Sequence, residues 1–260
     1  MKKRDIIIDA DHILFFVAEA KFHKERDAIK IEELEDGCAD WDTEIPELNL
    51  EPYIKHFKDI VEDYVLTAEV ESICYGWTLG ETKVILSDST NFRYELYPEY
   101  KAGRNPKSDT LKALAKWAKS EYIVEPNTEA DDVVAYYVRQ GGLGFTTDKD
   151  LFKGVSGIWF NTHYKHRCWV RTSEKEAEHF FKCQSLAGDP VDKIPALSGV
   201  GIPTASKLLN KHGDSWQDIL QIYLDRGYSK DYMLTMVRLV AMNQWTPKKG
   251  VKLWKIPKKH

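Results

Sequence analysis

Short apolar runs alternate with longer stretches of helical period along most of this 260-residue chain. The runs at Asp5–Asp9, Val70–Tyr75, Lys83–Ser87, Tyr122–Val124, Leu143–Thr146 and Val155–Phe160 have the length and apolar density of buried strands. Between them, helical periodicity predicts helices over His12–Phe22, Glu51–Thr67, Ser108–Ser120 and Thr128–Arg139, with Thr128 as N-cap of the last. This alternation predicts an α/β fold, a mostly parallel central sheet flanked by helices. After a hairpin-like stretch at His163–Arg171 the strand signals stop, and helices are expected over Ser173–Leu186, Thr204–His212, Ser215–Leu224 and Ser229–Asn243. The expected organisation is an α/β core over residues 1–172, a helical region over 173–247 and a basic segment over 248–260. Residues 24–50 are acidic and weakly periodic, broken by Asp36-Gly37 and Ile45-Pro46, and read as an insertion into the core.

Acidic residues stand where the strands end. Asp9 closes Ile6-Ile7-Ile8, Asp88 follows Val84-Ile85-Leu86-Ser87, and Asp148 and Asp150 follow the Leu143–Thr146 run. Glu129, Asp131 and Asp132 open the Thr128 helix, where Glu129 and Asp132 are expected to share one face, and Asp189 and Asp192 form a last pair on a turn. Open α/β sheets bind ligands at the carboxyl edge of their strands. Carboxylates gathered there repel one another and titrate upward unless cations relieve them. An all-oxygen donor set suits Mg2+ or Mn2+, and two such ions can drive in-line hydrolysis of a phosphodiester. Asp11, two residues beyond Asp9, reads as a helix-capping side chain.

Two further segments suit a polyanion. Phe92–Arg104 combines Arg93, Lys101 and Arg104 with aromatic residues, including Tyr100, that are able to stack on a base. Leu197-Ser198-Gly199-Val200-Gly201 precedes a helix with proline in its first turn, so backbone N–H groups can meet a phosphate there, with Lys207 and Lys211 one turn apart beside it. Gly199, Gly201 and the downstream pattern predict a helix-hairpin-helix, an element that holds phosphates without reading bases.

Composition modifies this picture only slightly. The net charge of −4 opposes binding to nucleic acid, but setting aside the nine acids of the proposed site leaves 32 against 37 Lys plus Arg, a mildly basic remainder. Residues 248–260 hold six lysines and no acid, a segment that either contacts a polyanion or is simply solvated. Cys38, Cys74, Cys168 and Cys183 show no metal-binding or disulfide spacing, which points to free thiols in a reducing compartment. The basic start Lys2-Lys3-Arg4 leads into a run interrupted by Asp5, Asp9, Asp11 and His12, so neither a secretory nor a membrane-spanning segment is expected and the cytoplasm is the expected location.

In ordered combination these residues resemble the 5′ nucleases: flap endonucleases, the nuclease domains of bacterial DNA polymerases and phage 5′–3′ exonucleases. The marks are Asp9, Asp88 with Phe92-Arg93, Pro98-Glu99-Tyr100-Lys101-x-x-Arg104, Glu129-Ala130-Asp131-Asp132, Thr147-Asp148-x-Asp150, and Gly188-Asp189 with Asp192 before the Gly199-Val200-Gly201 hairpin. The resemblance implies a two-metal nuclease acting near 5′ ends or flaps of double-stranded DNA, tolerant of RNA in the hydrolysed strand of an RNA–DNA hybrid. Size, the acidic insertion and the basic segment look most like a phage replication exonuclease, with replication proteins as partners. By the same resemblance Asp9, Asp88, Glu129 and Asp131 match the ligands of a first ion, and Asp132, Asp148, Asp150, Asp189 and Asp192 an outer and second-metal set. Lys101 and Arg104 match residues that hold the scissile phosphate, and the hairpin matches a duplex-binding element where K+ is often found. Two departures stand out: Asp11 occupies a position where the family more often has a small polar residue, and only the 27 residues 102–128 separate Lys101 from Glu129, too few for a full helical arch. A metal-dependent ribonuclease of the PIN type would lack the Asp189–Gly201 segment. A catalytically silent DNA-binding scaffold would lack some of the acids.

Overall fold

The computed structural model describes residues 3–19 and 49–257. The expected acidic insertion over 24–50 therefore lies almost wholly outside the described residues, as do the end of the first helix and the last three positions of the basic segment. Among the described residues the main sheet has the strands β1 (Arg4–Asp9), β2 (Leu79–Leu86), β3 (Ile123–Val124), β4 (Leu143–Thr146), β5 (Gly157–Asn161) and β6 (Cys168–Thr172). Their spatial order is β3-β2-β1-β4-β5-β6, parallel throughout except for β6, which runs antiparallel to β5.

The central strand shows why the apolar runs are continuous. Successive side chains of a strand face opposite sides, so Ile6 and Ile8 pack with Phe57 and Leu114 on one face while Ile7 packs with Val134 and Trp159 on the other. The first face is covered by α1 (helical over 11–19), α2 (Glu51–Tyr75) and α4 (Asp109–Glu121). The second is covered by α5 (Ala130–Arg139) and α6 (Lys149–Gly154), through Val133, Val138 and Leu151. A short α3 (Phe92–Leu96) lies between β2 and α4, capped by the Asn91 side chain.

Several expectations are corrected. Val70–Tyr75 is not a strand but the last turns of α2, which ends where Gly76 takes a left-handed conformation at φ 63°. The helix is held by Tyr53, Phe57, Tyr64 and Ala68 on its buried side, and Val70 and Ile73 point outward, 54% and 83% exposed. The strand pairing instead falls to β2, which starts at Leu79. Thr128 is not the cap of α5: Glu129 occupies the N-cap position, and the Thr128 hydroxyl donates to the Pro126 carbonyl.

The helical region comprises α7 (Glu174–Ala187), opened by a Ser173–Glu176 capping box, then α8 (Ile202–His212), α9 (Trp216–Leu224) and α10 (Lys230–Val240), packed around Leu197, Leu209, Ile219 and Met233. Helix α10 ends earlier than expected, and strand structure returns as a small hairpin of β7 (Trp245–Thr246) and β8 (Gly250–Val251), with Trp245 against Tyr136 of α5. The basic segment is likewise not simply solvated. Trp254 packs on Trp216 at 4.4 Å and its N–H donates to Gln244, while Lys248, Lys249, Lys252 and Lys255 remain exposed.

One buried cation ties the helical region to the core. Arg93 is 2% exposed and spends its guanidinium on Asp132 Oδ2 at 2.7 Å, the Leu239 carbonyl at 2.9 Å and the Ala241 carbonyl at 2.7 Å. The second Asp132 oxygen accepts the Gln244 N–H at 3.2 Å. Removing one partner of such a pair leaves an uncompensated buried charge. Arg93→Met is expected to lower unfolding free energy by about 3–5 kcal/mol, and Arg93→Met with Asp132→Leu to recover most of it. Urea unfolding of both variants at pH 7 checks this, and equal losses in the two would reject the pair as the tie.

Candidate active site

Parallel strands bring their carboxyl ends to one edge, and the predicted acids converge there from distant stretches of sequence. Asp9, the last residue of β1, is 4% exposed; its Oδ2 accepts the Thr146 hydroxyl from the end of β4 at 2.8 Å. Glu129 and Asp131 come from the start of α5. Asp148 caps α6 by accepting the Asp150 N–H at 2.7 Å. Asp189 and Asp192 come from the α7–α8 connection, where Asp189 pairs with Ile194 in an isolated antiparallel bridge. These seven line one cavity of about 380 Å³, together with Lys101 and Arg104.

Two of the nine predicted acids do not. Asp132 is fully buried on the Arg93 side of α5, because a helical position one beyond Asp131 points about a quarter-turn or more away. Asp88 is turned into its own loop. Its carboxylate accepts the Ser89 N–H at 2.6 Å, the Thr90 hydroxyl at 2.7 Å and the Asn127 N–H at 2.9 Å, and the Asn127 bond holds its pKa below the usual value despite the desolvation it suffers. Asp11, read as a helix cap, lines the cavity instead, and its Oδ1 accepts the Ser87 N–H across the sheet at 3.2 Å. The N–H of Asp11 is itself capped by Asp9. The only sequence signal for this exchange was the departure at position 11.

The predicted nucleic-acid contacts also divide. Arg93 is fully engaged inside the protein. Tyr100, 3% exposed, shares its one hydroxyl proton between Glu129 at 3.0 Å and Asp192 at 3.1 Å, so its ring is wedged beneath the site rather than free to stack on a base. Lys101 pairs with Glu129 and lies 3.7 Å from Asp192, while the half-exposed Arg104 pairs with Asp192 at the mouth. Lys101 takes a left-handed backbone, φ 55°, and donates its N–H to the Asp192 carbonyl. Gly199, Gly201, Lys207 and Lys211 lie outside the cavity, exposed on the α7–α8 connection and on α8. Gly199 has φ 70°, which favours glycine, whereas Gly201 has ordinary φ and a Cβ there would meet only Pro203 Cδ at 3.9 Å.

Comparison with known proteins finds relatives in fold and in sequence. The fold is that of the phage 5′ nucleases: a bacteriophage T5 flap endonuclease solved as a pseudo-enzyme-product complex with DNA and metal ions superposes with TM-score 0.58, at 17% identity over 92% of this chain and 89% of that one. A bacteriophage T5 5′-exonuclease solved with zinc gives 0.51, covering 92% and 88%. In sequence the chain is a homologue of flap endonucleases and of DNA polymerases I. It is 33% identical over 144 residues to flap endonuclease Xni of Shewanella denitrificans, a match covering 48% of this chain and 56% of the relative. It is 29% identical over 167 residues to the thermostable DNA polymerase I of Thermus thermophilus, covering 56% of this chain and 20% of the relative. The chain thus matches little more than half the length of the flap endonuclease and a fifth of the polymerase. No protein-family model matches it.

The donors facing the cavity fit hard divalent cations in chemistry, being carboxylate oxygens without competing thiolates. Among the described residues no three or more His, Cys, Asp or Glu are already set to hold an ion, and Glu129 and Asp192 are engaged by Lys101 and Arg104. Metal ligation therefore requires side-chain adjustment. The electrostatics favour it: burial, and then Asp148, Asp9 and Glu129, raise the Asp131 carboxyl well above its ordinary range. Burial and then Asp150 push Asp148 up to about 7. Burial would also raise Glu129, but Arg93 and Lys101 outweigh it and hold it low.

These shifts have a pH signature. The folded protein retains a proton on Asp148 that the unfolded chain releases near 3.8, so without divalent cations stability is expected to fall as pH rises from about 4 to about 7. Glu129 has the opposite sign and acts only below its ordinary 4.5. Asp148→Asn is expected to flatten the decline and raise the melting temperature in EDTA at pH 8 by a few degrees. Thermal melts from pH 4 to 8 check this; an unchanged slope in the variant would reject the assignment.

Proposed function

We propose that this chain is a metal-dependent 5′ nuclease that hydrolyses phosphodiester bonds of duplex DNA from 5′ ends and at 5′ flaps, using two Mg2+ or Mn2+ ions. The observation that carries the reading is the cavity at the carboxyl edge of the sheet, where carboxylates from four separate segments meet Lys101 and Arg104. The relatives named above support it, as does the presence of DNA and metal ions in the T5 complex.

In this reading Asp9, Glu129 and Asp131 hold one ion and Asp148, Asp150, Asp189 and Asp192 the other. Bound ions supply a nucleophilic water at neutral pH and stabilise the leaving oxygen. The chain itself does the positioning. Arg104, 53% exposed on its side chain, meets the phosphate first, and the deeper Lys101, 16% exposed, neutralises it beside Glu129. Both exchange a carboxylate partner for a phosphate oxygen, so phosphate and cations enter as a charge-compensating set. The tight Tyr97–Lys101 turn, pinned by Tyr100 to Glu129 and Asp192, fixes where the two cations reach.

Residues 102–128 are occupied by α4 and β3, whose Leu111 and Leu114 belong to the sheet's core, so no described residue there forms an arch over the cavity. We infer that the 5′ end is gripped from one side and that the Gly199-Val200-Gly201 hairpin, a helix-hairpin-helix that could also bind K+, holds the duplex downstream. Contacts restricted to backbone phosphates leave an RNA primer acceptable in the hydrolysed strand. Phage DNA replication in the host cytoplasm, with replication proteins as partners, is the setting this reading suggests.

With Mg2+ and an end-labelled 5′-flapped duplex, Asp131→Asn and Asp148→Asn are each expected to lose at least about 10²-fold in cleavage rate, with DNA affinity retained or increased because a negative charge is gone. Wild-type turnover by both variants would overturn the reading. The hairpin offers an independent check. Gly201→Ala has room for its methyl group and is expected to melt within about a degree of wild type yet bind long duplexes several-fold more weakly, while cutting very short substrates nearly normally. Gel-shift and short-substrate kinetics separate these; unchanged duplex affinity would remove the hairpin from the interface.

A further inference from the structure

The sequence pattern assigns the carboxylate at the end of β2 to Asp88, and the structure puts another acid in its place. Asp88 is outside the cavity wall and its oxygens are committed to three donors, Ser89 N, Thr90 Oγ1 and Asn127 N, which close the loop between β2 and α3. Asp11 is inside the wall. It leaves the first turn of α1, crosses to the end of β2, and is held there by the N–H of Ser87 at 3.2 Å. The Ser87 hydroxyl accepts the Ala130 N–H at 2.9 Å, which leaves its own proton for Asp11. One serine therefore fixes Asp11 in register with Glu129, the residue before Ala130. Among the described residues no lysine or arginine forms a salt bridge with Asp11, in contrast to Glu129 and Asp192.

We propose that Asp11, and not Asp88, supplies the β2-side carboxylate of the first cation site, together with Asp9, Glu129 and Asp131. Two positions have exchanged roles: α1 donates the ligand, and the β2 end donates the hydrogen bonds that aim it. Asp88 is a loop-closing residue. The inference rests on the proposed metal-dependent reading, and it concerns which side chain reaches the ion.

The test compares Asp11→Asn and Asp88→Asn by Mn2+ titration calorimetry and by melting in EDTA and in Mn2+, with no DNA present. Asparagine keeps an acceptor for the Ser87 N–H, so Asp11→Asn is expected to melt in EDTA at or above the wild-type temperature, because it removes a repelling charge. It is expected to lose about ten- to a hundredfold in affinity for one Mn2+ and to gain correspondingly less melting temperature on Mn2+ addition. Asp88→Asn is expected to melt lower in EDTA and to keep its Mn2+ affinity within about twofold. Asp11→Glu, which keeps the charge, is expected to recover part of the Mn2+ affinity. If Asp11→Asn melts lower in EDTA while binding Mn2+ like wild type, Asp11 is a structural cap and the proposal falls. It falls equally if Asp88→Asn is the variant that loses the ion. If wild-type protein binds no divalent cation, the metal-dependent reading fails with it, an outcome distinct from either of these.

Discussion

Mutual repulsion among the carboxylates that face one cavity is the constraint on which the rest of the structure depends. Eight of them line it, and the low-dielectric walls that give the site its shape also strengthen their repulsion. The protein meets this in two ways. Lys101 and Arg104 reach in from the turn after α3 and engage Glu129 and Asp192. Asp9 and Asp11 accept hydrogen bonds at strand ends, from the Thr146 hydroxyl and the Ser87 N–H, and Asp148 and Asp189 accept backbone N–H groups of Asp150 and Val191. What is left uncompensated, most clearly at Asp131 and Asp148, is met by raised carboxyl pKa values, so that a proton stays on where an isolated carboxylate would lose it.

Rigidity behind the site comes from a charge of the opposite sign. Arg93 is buried between Asp132 and the carbonyls of Leu239 and Ala241, and Glu129 lies 3.2 Å from the same guanidinium. Burial alone would lower the Arg93 pKa, but Asp132 and Glu129 more than reverse this, so the group stays charged. A single side chain thereby joins α3, the start of α5 and the end of α10. The turn that carries Lys101 is built on α3, and the hairpin lies in the region anchored by α10. Movement of the helical region relative to the sheet would therefore be transmitted to Lys101 and Arg104.

Much of this was legible along the chain, for a physical reason. Strand-end acids, apolar runs and capping residues are local signals: Leu143–Thr146 forms the strand its composition indicates, and Ser173 and Ser215 cap α7 and α9 with reciprocal bonds to Glu176 and Asp218. The ordered acids carried the resemblance to the 5′ nucleases, and a parallel sheet was enough to expect them at one edge, because parallel topology carries strand ends there. Local signals fail where two local outcomes are close in energy. Val70–Tyr75 is apolar enough for a strand, yet it continues a helix already held by Tyr53 and Phe57.

The amino-acid sequence by itself determined the class of fold, the chemistry of the donors and most of the residues that meet at the cavity, because each of these depends on periodicity and on which residue ends a strand. Only the tertiary structure decided which carboxylates face inward. Asp132 pairs with Arg93, 39 positions away, and with Gln244, 112 positions away; Asp11 is aimed by Ser87, 76 positions away. Tyr100 and Arg93 look like surface contacts for nucleic acid when read in their own segment, and become internal supports once α10 closes over them. Which side of a turn a side chain leaves from is settled by partners distant in sequence, and no local pattern encodes where those partners will stand.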